Sequence, residues 1–112
     1  MRSNFLGMIV KFEETYLEEM YYQGKCSDKK HRFQPNIIKI YKRRIELLEN
    51  VPAVESLYKY NALHYEALVG DKKGLESIRV NDQYRIEFKT TKVVTDTAIT
   101  ICNIIELSNH YK

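Results

Sequence analysis

The sequence of 112 residues lacks most of the signals that announce a well-defined chemistry. No apolar run approaches the roughly 20 residues needed to span a bilayer. The amino terminus, "MRSNFLGMIVKF", holds one arginine and a short mixed apolar patch, too little for a secretory signal. Its two cysteines, Cys26 and Cys102, lie far apart without metal-ligand spacing, so both are expected as reduced structural thiols of a cytoplasmic protein. There is no Gly-rich phosphate loop, no G-x-S-x-G, no HExxH and no CxxC. Nucleotide-dependent, serine-hydrolase and zinc chemistries are therefore unsupported, and no cofactor or metal is expected. No repeat, low-complexity tract or second domain is present.

What remains is an ordinary globular composition, 44 % hydrophobic and 29 % charged, in a chain long enough for one modest core. Residues 1–7 read as an extension and residues 8–112 as a single domain. The net charge of +3 is mild, but its signs are segregated. Glu13, Glu14, Glu18 and Glu19 cluster early, and positive charge dominates from Lys25 to Arg44. A second basic group runs through Lys72, Lys73, Arg79, Arg85, Lys89 and Lys92. Such clusters are either solvated surface or a basic face that steers toward a polyanion.

Met8 to Phe12 reads as a strand. Tyr16, Leu17, Met20 and Tyr21 then form a helical stripe that Gly24 stops. "KCSDKKHRF" is a polar connection. In "PNIIKIYKRRIELLENV", Pro35 suits a first helical turn, and Ile37, Ile38, Tyr41, Ile45 and Leu48 make one apolar stripe before Pro52. Lys39, Lys42, Arg43 and Glu46 lie off that stripe. After the linker-like "ENVPAVES" come four strand candidates: Leu63 to Val69, Leu75 to Val80, Tyr84 to Lys89 and Ala98 to Ile105. The last is apolar at nearly every position, as a strand covered on both faces would be. The expected fold is α+β, with two N-terminal helices packed on a small, mainly antiparallel twisted sheet.

Parity fixes the pairing of "GLESIRVNDQYRIEF". Side chains alternate along a strand, so Ile78 and Val80 must face the core together with Tyr84, Ile86 and Phe88. A three-residue loop, Asn81 to Gln83, meets that condition by setting Val80 against Tyr84 and Ile78 against Ile86. The same register puts Arg79 opposite Arg85 on the other face. Directly opposed like charges destabilise a sheet pair by roughly 0.2–1 kcal/mol. Glu87, beside Arg85 and diagonal to Arg79, would offset this from within. An external phosphate, held bidentately by the two guanidinium groups, would offset it from outside.

The tail "SNHYK" concentrates proton-transfer groups. His110 can act as acid or base near neutral pH, and Tyr111 or Lys112 can donate, although a polar chain end needs no such role. The strand from Ala98 would bring them to the sheet that displays the arginines. Metal-free RNA cleavage needs this set: a base for the 2′-hydroxyl, an acid for the 5′-oxygen and cations for the phosphorane. His64 reads as a strand-edge or packing histidine, and His31, among lysines, as solvated.

"LHYEALVGDKKGLESIRVNDQYRIEF", followed by a strand and a short His-Tyr tail, resembles the HigB-type toxins of the RelE/ParE superfamily. Their core runs approximately L-x-G-D-x-x-G-x-x-S-I-R-V-N-x-x-[WY]-R-I-x-F. Leu68, Gly70, Asp71, Gly74, Ser77, Ile78, Arg79, Val80, Asn81, Tyr84, Arg85, Ile86 and Phe88 match it. The resemblance implies a RelE-like fold, a HigA-like antitoxin partner, and cleavage of mRNA in the ribosomal A site of a bacterial cytoplasm, with no membrane association. It also implies that Arg85 stabilises the scissile phosphate, that Arg79 supports it, and that His110 and Tyr111 transfer protons. Lys72, Lys73, Asn109 and Lys112 are the further RNA contacts expected.

Three departures bear on this. Val69 stands where many such toxins have lysine, a loss that Lys72 or Lys73 could compensate. The ending is Asn109-His110-Tyr111-Lys112 rather than Asp-Tyr-His, which leaves acid and base open between His110 and Tyr111. Glu76 replaces a common aromatic. Two alternatives stay open: a ParE-like inhibitor of a protein target such as gyrase, and an inactive homologue that still binds antitoxin.

Overall fold

A computed structural model describes residues 7–109, so most of the expected extension, and the tail from residue 110 onward, lie outside the described residues. Strand β1 (Ile9–Phe12) leads into α1 (Thr15–Gln23) and α2 (Pro35–Asn50). The chain then forms β2 (Glu66–Ala67), β3 (Glu76–Arg79), β4 (Arg85–Val94) and β5 (Ala98–Ser108). One five-stranded sheet has the order β1-β5-β4-β3-β2, with β1 parallel to β5 and the other neighbours antiparallel.

The helices form where the apolar stripes demand. In α1, Tyr16, Leu17 and Met20 are buried, and Gly24 ends the helix in the left-handed region (φ 71°), where it donates to the Met20 carbonyl at 3.1 Å. In α2, Pro35 sits in the first turn and Ile37, Ile38, Tyr41, Ile45 and Leu48 are buried. Both helices pack on the same side of the sheet, against Ile78, Ile86, Phe88 and Ile104. The Tyr41 hydroxyl, deep between them, donates to the Leu17 carbonyl at 2.9 Å, which satisfies its polar end.

Three expectations need correction. The stretch 63–69 is not a strand: Asn61–Leu63 is a 3-10 turn, and His64 takes a left-handed conformation (φ 44°, ψ 51°) that breaks extension, leaving only Glu66–Ala67 to pair with β3. The "linker" is also structured, since Val54–Lys59 is a 3-10 helix whose Leu57 is fully buried. Finally, β5 is not covered on both faces. Cys102 and Ile104 are buried under the helices, whereas Ile99, pointing the other way, is 37 % exposed.

Both strands of the β4–β5 hairpin outrun their expected lengths and close through a Thr95–Thr97 turn. A bulge interrupts their register between Glu87 and Phe88. Both cysteines are free, Cys26 half-buried and Cys102 buried.

Burial raises the tyrosine hydroxyls: Tyr16 to about 12, and Tyr41 and Tyr65 further in the same direction. A raised native pKa means that this stability is complete below the unfolded value near 10 and is lost as pH climbs toward the native one. Unfolding free energies from urea titration should therefore hold to about pH 9 and fall between about pH 10 and 12, most through the deeply buried Tyr41 and least through the more open Tyr65. Phe88, with no exposed surface, is at the centre of the core, and Phe88→Ala should lower unfolding free energy by about 3–5 kcal/mol in the same assay at neutral pH.

Candidate active site

The β3–β4 hairpin has the register that parity requires. Ile78 pairs with Ile86, Arg79 with Arg85, and the Val80 amide donates to the Tyr84 carbonyl at 2.9 Å. Asn81 shapes the three-residue loop: its Oδ1 accepts the amides of Gln83 (2.9 Å) and Tyr84 (2.8 Å), a local turn that only a short carboxamide or carboxylate can close. Ile78 and Ile86 are thereby fully buried, and both arginines are turned to the face away from the helices.

Arg85 is 7 % exposed and held at several points. Its Nε donates to Ser77 Oγ at 2.8 Å, and its Nη2 donates to the His64 carbonyl and lies 3.4 Å from a carboxylate oxygen of Glu66. The left-handed turn at His64 thus has a use: it aims a carbonyl at the guanidinium. Arg79 is more open and pairs with Asp82. From α2, Arg44 Nε reaches the Arg79 carbonyl at 2.9 Å, and burial, then the Arg79 charge, lowers Arg44's affinity for its proton.

The opposed arginines are therefore offset first from within, by Glu66 and Asp82, each serving one guanidinium. Glu87, the expected internal partner, is 1 % exposed and is engaged by Lys72 Nζ at 2.6 Å. Lys72 reaches the site from the 3-10 turn Gly70–Lys72, while Lys73 is exposed on the same loop. Val69 is 82 % exposed, so nothing basic stands there.

Strand β5 runs three residues past its expected end at Ile105, which sets Ser108 opposite Arg85 and Asn109 one residue beyond. Asn109 lines a depression of about 190 Å³ with Arg32, His31, Phe33, Tyr84 and Glu106. His110, Tyr111 and Lys112 lie outside the described residues. His31 is half-buried rather than freely solvated. Its ring stacks on Tyr16 with centroids 3.7 Å apart, and its Nδ1 is 3.3 Å from the Asp28 carboxylate. Among the described residues, no group of three or more His, Cys, Asp or Glu could hold a metal ion.

A fixed guanidinium beside an accessible carboxylate can do two things. It can stabilise negative charge that develops on a phosphoryl group, and the carboxylate can accept a proton. The sequence model for the RelE-like toxin of the type II toxin–antitoxin system HigB matches residues 10–100, most of the chain. This chain belongs to that family. It is 36 % identical over 83 residues to Toxin HigB-1 of Vibrio cholerae serotype O1 (strain ATCC 39315 / El Tor Inaba N16961), covering 73 % of this chain and 83 % of the relative. The YoeB/ParE toxin from Agrobacterium tumefaciens shares the fold, with TM-score 0.54 at 13 % identity, over 93 % of this chain and all of that one.

As a HigB-like toxin of the RelE family, the chain implies a cognate antitoxin as partner. Among the described residues, no helix is long and apolar enough to cross a membrane. Sequence reasoning missed Glu66 and Arg44, because neither falls in a recognisable spacing with Arg85, and it matched Ser77 to the family core without giving it a role. The one available signal was Ser77 two positions before Arg79, on the same strand face.

Lys72→Met should strip a charged partner from buried Glu87 and lower stability by about 1–3 kcal/mol. Adding Glu87→Gln should recover part of that loss, read as coupling in a double-mutant cycle by urea denaturation.

Proposed function

We propose that this toxin is a metal-independent endoribonuclease that cuts mRNA on the translating ribosome in the bacterial cytoplasm and is silenced by its antitoxin. The observation that carries the reading is Arg85. A guanidinium only 7 % exposed, fixed by Ser77, the His64 carbonyl and Glu66, is a preorganised cation of the kind that lowers a phosphorane barrier.

RNA cleavage here proceeds by attack of the 2′-oxygen on the adjacent phosphorus. The 2′-hydroxyl proton passes to a base, a 2′,3′-cyclic phosphate forms, and the 5′-oxygen leaves with a proton from an acid. Arg85 takes the charge on the non-bridging oxygens, and Arg79, directly across the strand pair, supports it. Glu66, 55 % exposed beside Arg85, is a carboxylate base in reach of that phosphate. The tail residues His110 and Tyr111, following the strand that ends opposite Arg85, supply the leaving-group acid. Lys72, Lys73, Asn109 and Lys112 then hold flanking phosphates. Retention of this set favours cleavage over inhibition of a protein target such as gyrase.

The test maps 5′ ends on mRNA held by purified bacterial ribosomes. Wild-type protein should produce new ends within A-site codons without added divalent metal beyond that of the ribosome. Arg85→Ala should reduce them by about 10²–10³-fold, the loss typical of one transition-state donor. Glu66→Gln should slow cleavage while leaving ribosome binding intact. Absence of cuts with wild-type protein, alongside toxicity on expression, would instead favour a protein-target inhibitor.

A further inference from the structure

The segment that brings Glu66 and the His64 carbonyl to Arg85 carries an exposed aromatic ridge. From Leu57 to Glu66 it reads "LYKYNALHYE", with a lysine between two tyrosines. Leu57, in the 3-10 helix Val54–Lys59, and Leu63, in the turn Asn61–Leu63, are buried and anchor it to the core. Tyr58 is 66 % exposed and Tyr60 is 44 % exposed, and Lys59 between them is exposed as well.

Single exposed tyrosines are ordinary on a protein surface. Here the ring of Tyr58 is already fixed. It meets Tyr65 edge-to-face, with centroids 4.9 Å apart and planes at 83°. The Tyr65 hydroxyl donates to Glu76 at 2.6 Å, and its ring packs against buried Phe88. Tyr60 is tied to the His64 turn: its carbonyl accepts the Leu63 amide at 2.9 Å, and the Asn61 carbonyl accepts the His64 amide at 3.2 Å. Ridge and Arg85 support are thus one piece, with Tyr60 about 8 Å from His64 at 3-10 rise.

Strand order decides which part of an RNA comes to this ridge. Arg85 is on β4, with β3 and then β2 on one side and β5 on the other. Glu66, the proposed base, is on β2, and β5 leads from Ser108, opposite Arg85, toward His110 and Tyr111. In-line displacement at phosphorus needs the attacking and leaving oxygens on opposite sides, which base and acid so placed would serve. The attacking 2′-hydroxyl belongs to the nucleotide on the 5′ side of the scissile phosphate. That nucleotide therefore lies toward β2, beside the ridge. Aromatic faces stack unpaired bases whatever their identity, and a lysine among them takes backbone charge.

We propose that Tyr58 and Tyr60 form a stacking platform for the base on the 5′ side of the cut, with Lys59 on that nucleotide's own phosphate. The RNA then crosses the sheet in one direction, its 5′ side over β2 and its 3′ side over the end of β5. This placement depends on the nuclease reading of Arg85 and Glu66 given above. A platform of this kind holds the ground state and the transition state alike, so it sets affinity and leaves the chemical step alone.

The experiment follows single-turnover cleavage by the full chain on mRNA-loaded ribosomes over a range of toxin concentrations. One message is intact. The other has an abasic ribonucleotide immediately 5′ of the mapped cut, which keeps the 2′-hydroxyl and removes the base. On the intact message, Tyr58→Ala with Tyr60→Ala should raise the half-saturating concentration about tenfold, the loss of about one stacked base, with the saturating rate little changed. Tyr58→Trp with Tyr60→Trp should restore wild-type values. On the abasic message the wild type and the alanine variant should coincide. Should the alanine variant melt early, Tyr58→Leu with Tyr60→Leu, which keeps apolar packing without a ring, takes its place. No loss on the intact message, or an equal loss on both messages, overturns the platform. So does a loss confined to antitoxin affinity in isothermal titration calorimetry, for the ridge then serves a protein partner. Absence of cuts by the wild type overturns the nuclease reading and the platform with it, whereas wild-type cuts that the alanine variant matches overturn the platform alone.

Discussion

The two-residue period of the β3–β4 hairpin is the constraint on which the molecule depends. With Ile78 and Ile86 committed to the core, Arg79 and Arg85 have no alternative but to face each other on the opposite side. A slip of one residue would bury two guanidinium groups against α2 and expose two isoleucines. The cost of such a slip, several kcal/mol from apolar burial alone, far exceeds the roughly 0.2–1 kcal/mol of like-charge repulsion. The core therefore dictates the site, and the arginines are its consequence.

Holding the arginines requires further parts, and each comes from a different segment. Ser77 lies on β3 itself, Glu66 on the two-residue β2, the His64 carbonyl on a left-handed turn, and Arg44 on α2. Ser77, Glu66 and the His64 carbonyl restrict the Arg85 guanidinium before any ligand arrives, and Arg44 ties down the Arg79 backbone. Preorganisation of this sort raises catalytic value, since little reorganisation remains when charge develops. It also explains why a site lined with arginines can exist in the free protein: Glu66 and Asp82 each offset one guanidinium with no ligand bound.

Much of this was legible in the chain. Helical spacing located α1 and α2, and parity alone produced the hairpin register with its opposed arginines. The failures share a cause. Leu57 and Leu63 sit in 3-10 turns, the second capped by left-handed His64, and their short period leaves no pattern in sequence, so one segment reads as strand and another as linker. The apolar run of β5 looked like a strand buried on both faces. In fact its Ile99 and Ile101 face outward, Ile99 exposed and Ile101 only half-buried. Glu66 and Arg44 acquire their roles only through tertiary approach, which spacing along a chain does not encode.

The central claim is that Arg85 acts on the transition state rather than as a generic anchor for RNA. Its direct test separates binding from chemistry on mRNA-loaded ribosomes. Affinity is read with an A-site nucleotide whose 2′-hydroxyl is methylated and so cannot attack. Rate is read as single-turnover cleavage at saturating toxin. Arg85→Ala should leave the affinity within a few-fold of wild type and lower the saturating rate by about 10²–10³-fold. A large loss of affinity with an unchanged saturating rate would contradict the account and make Arg85 a docking residue.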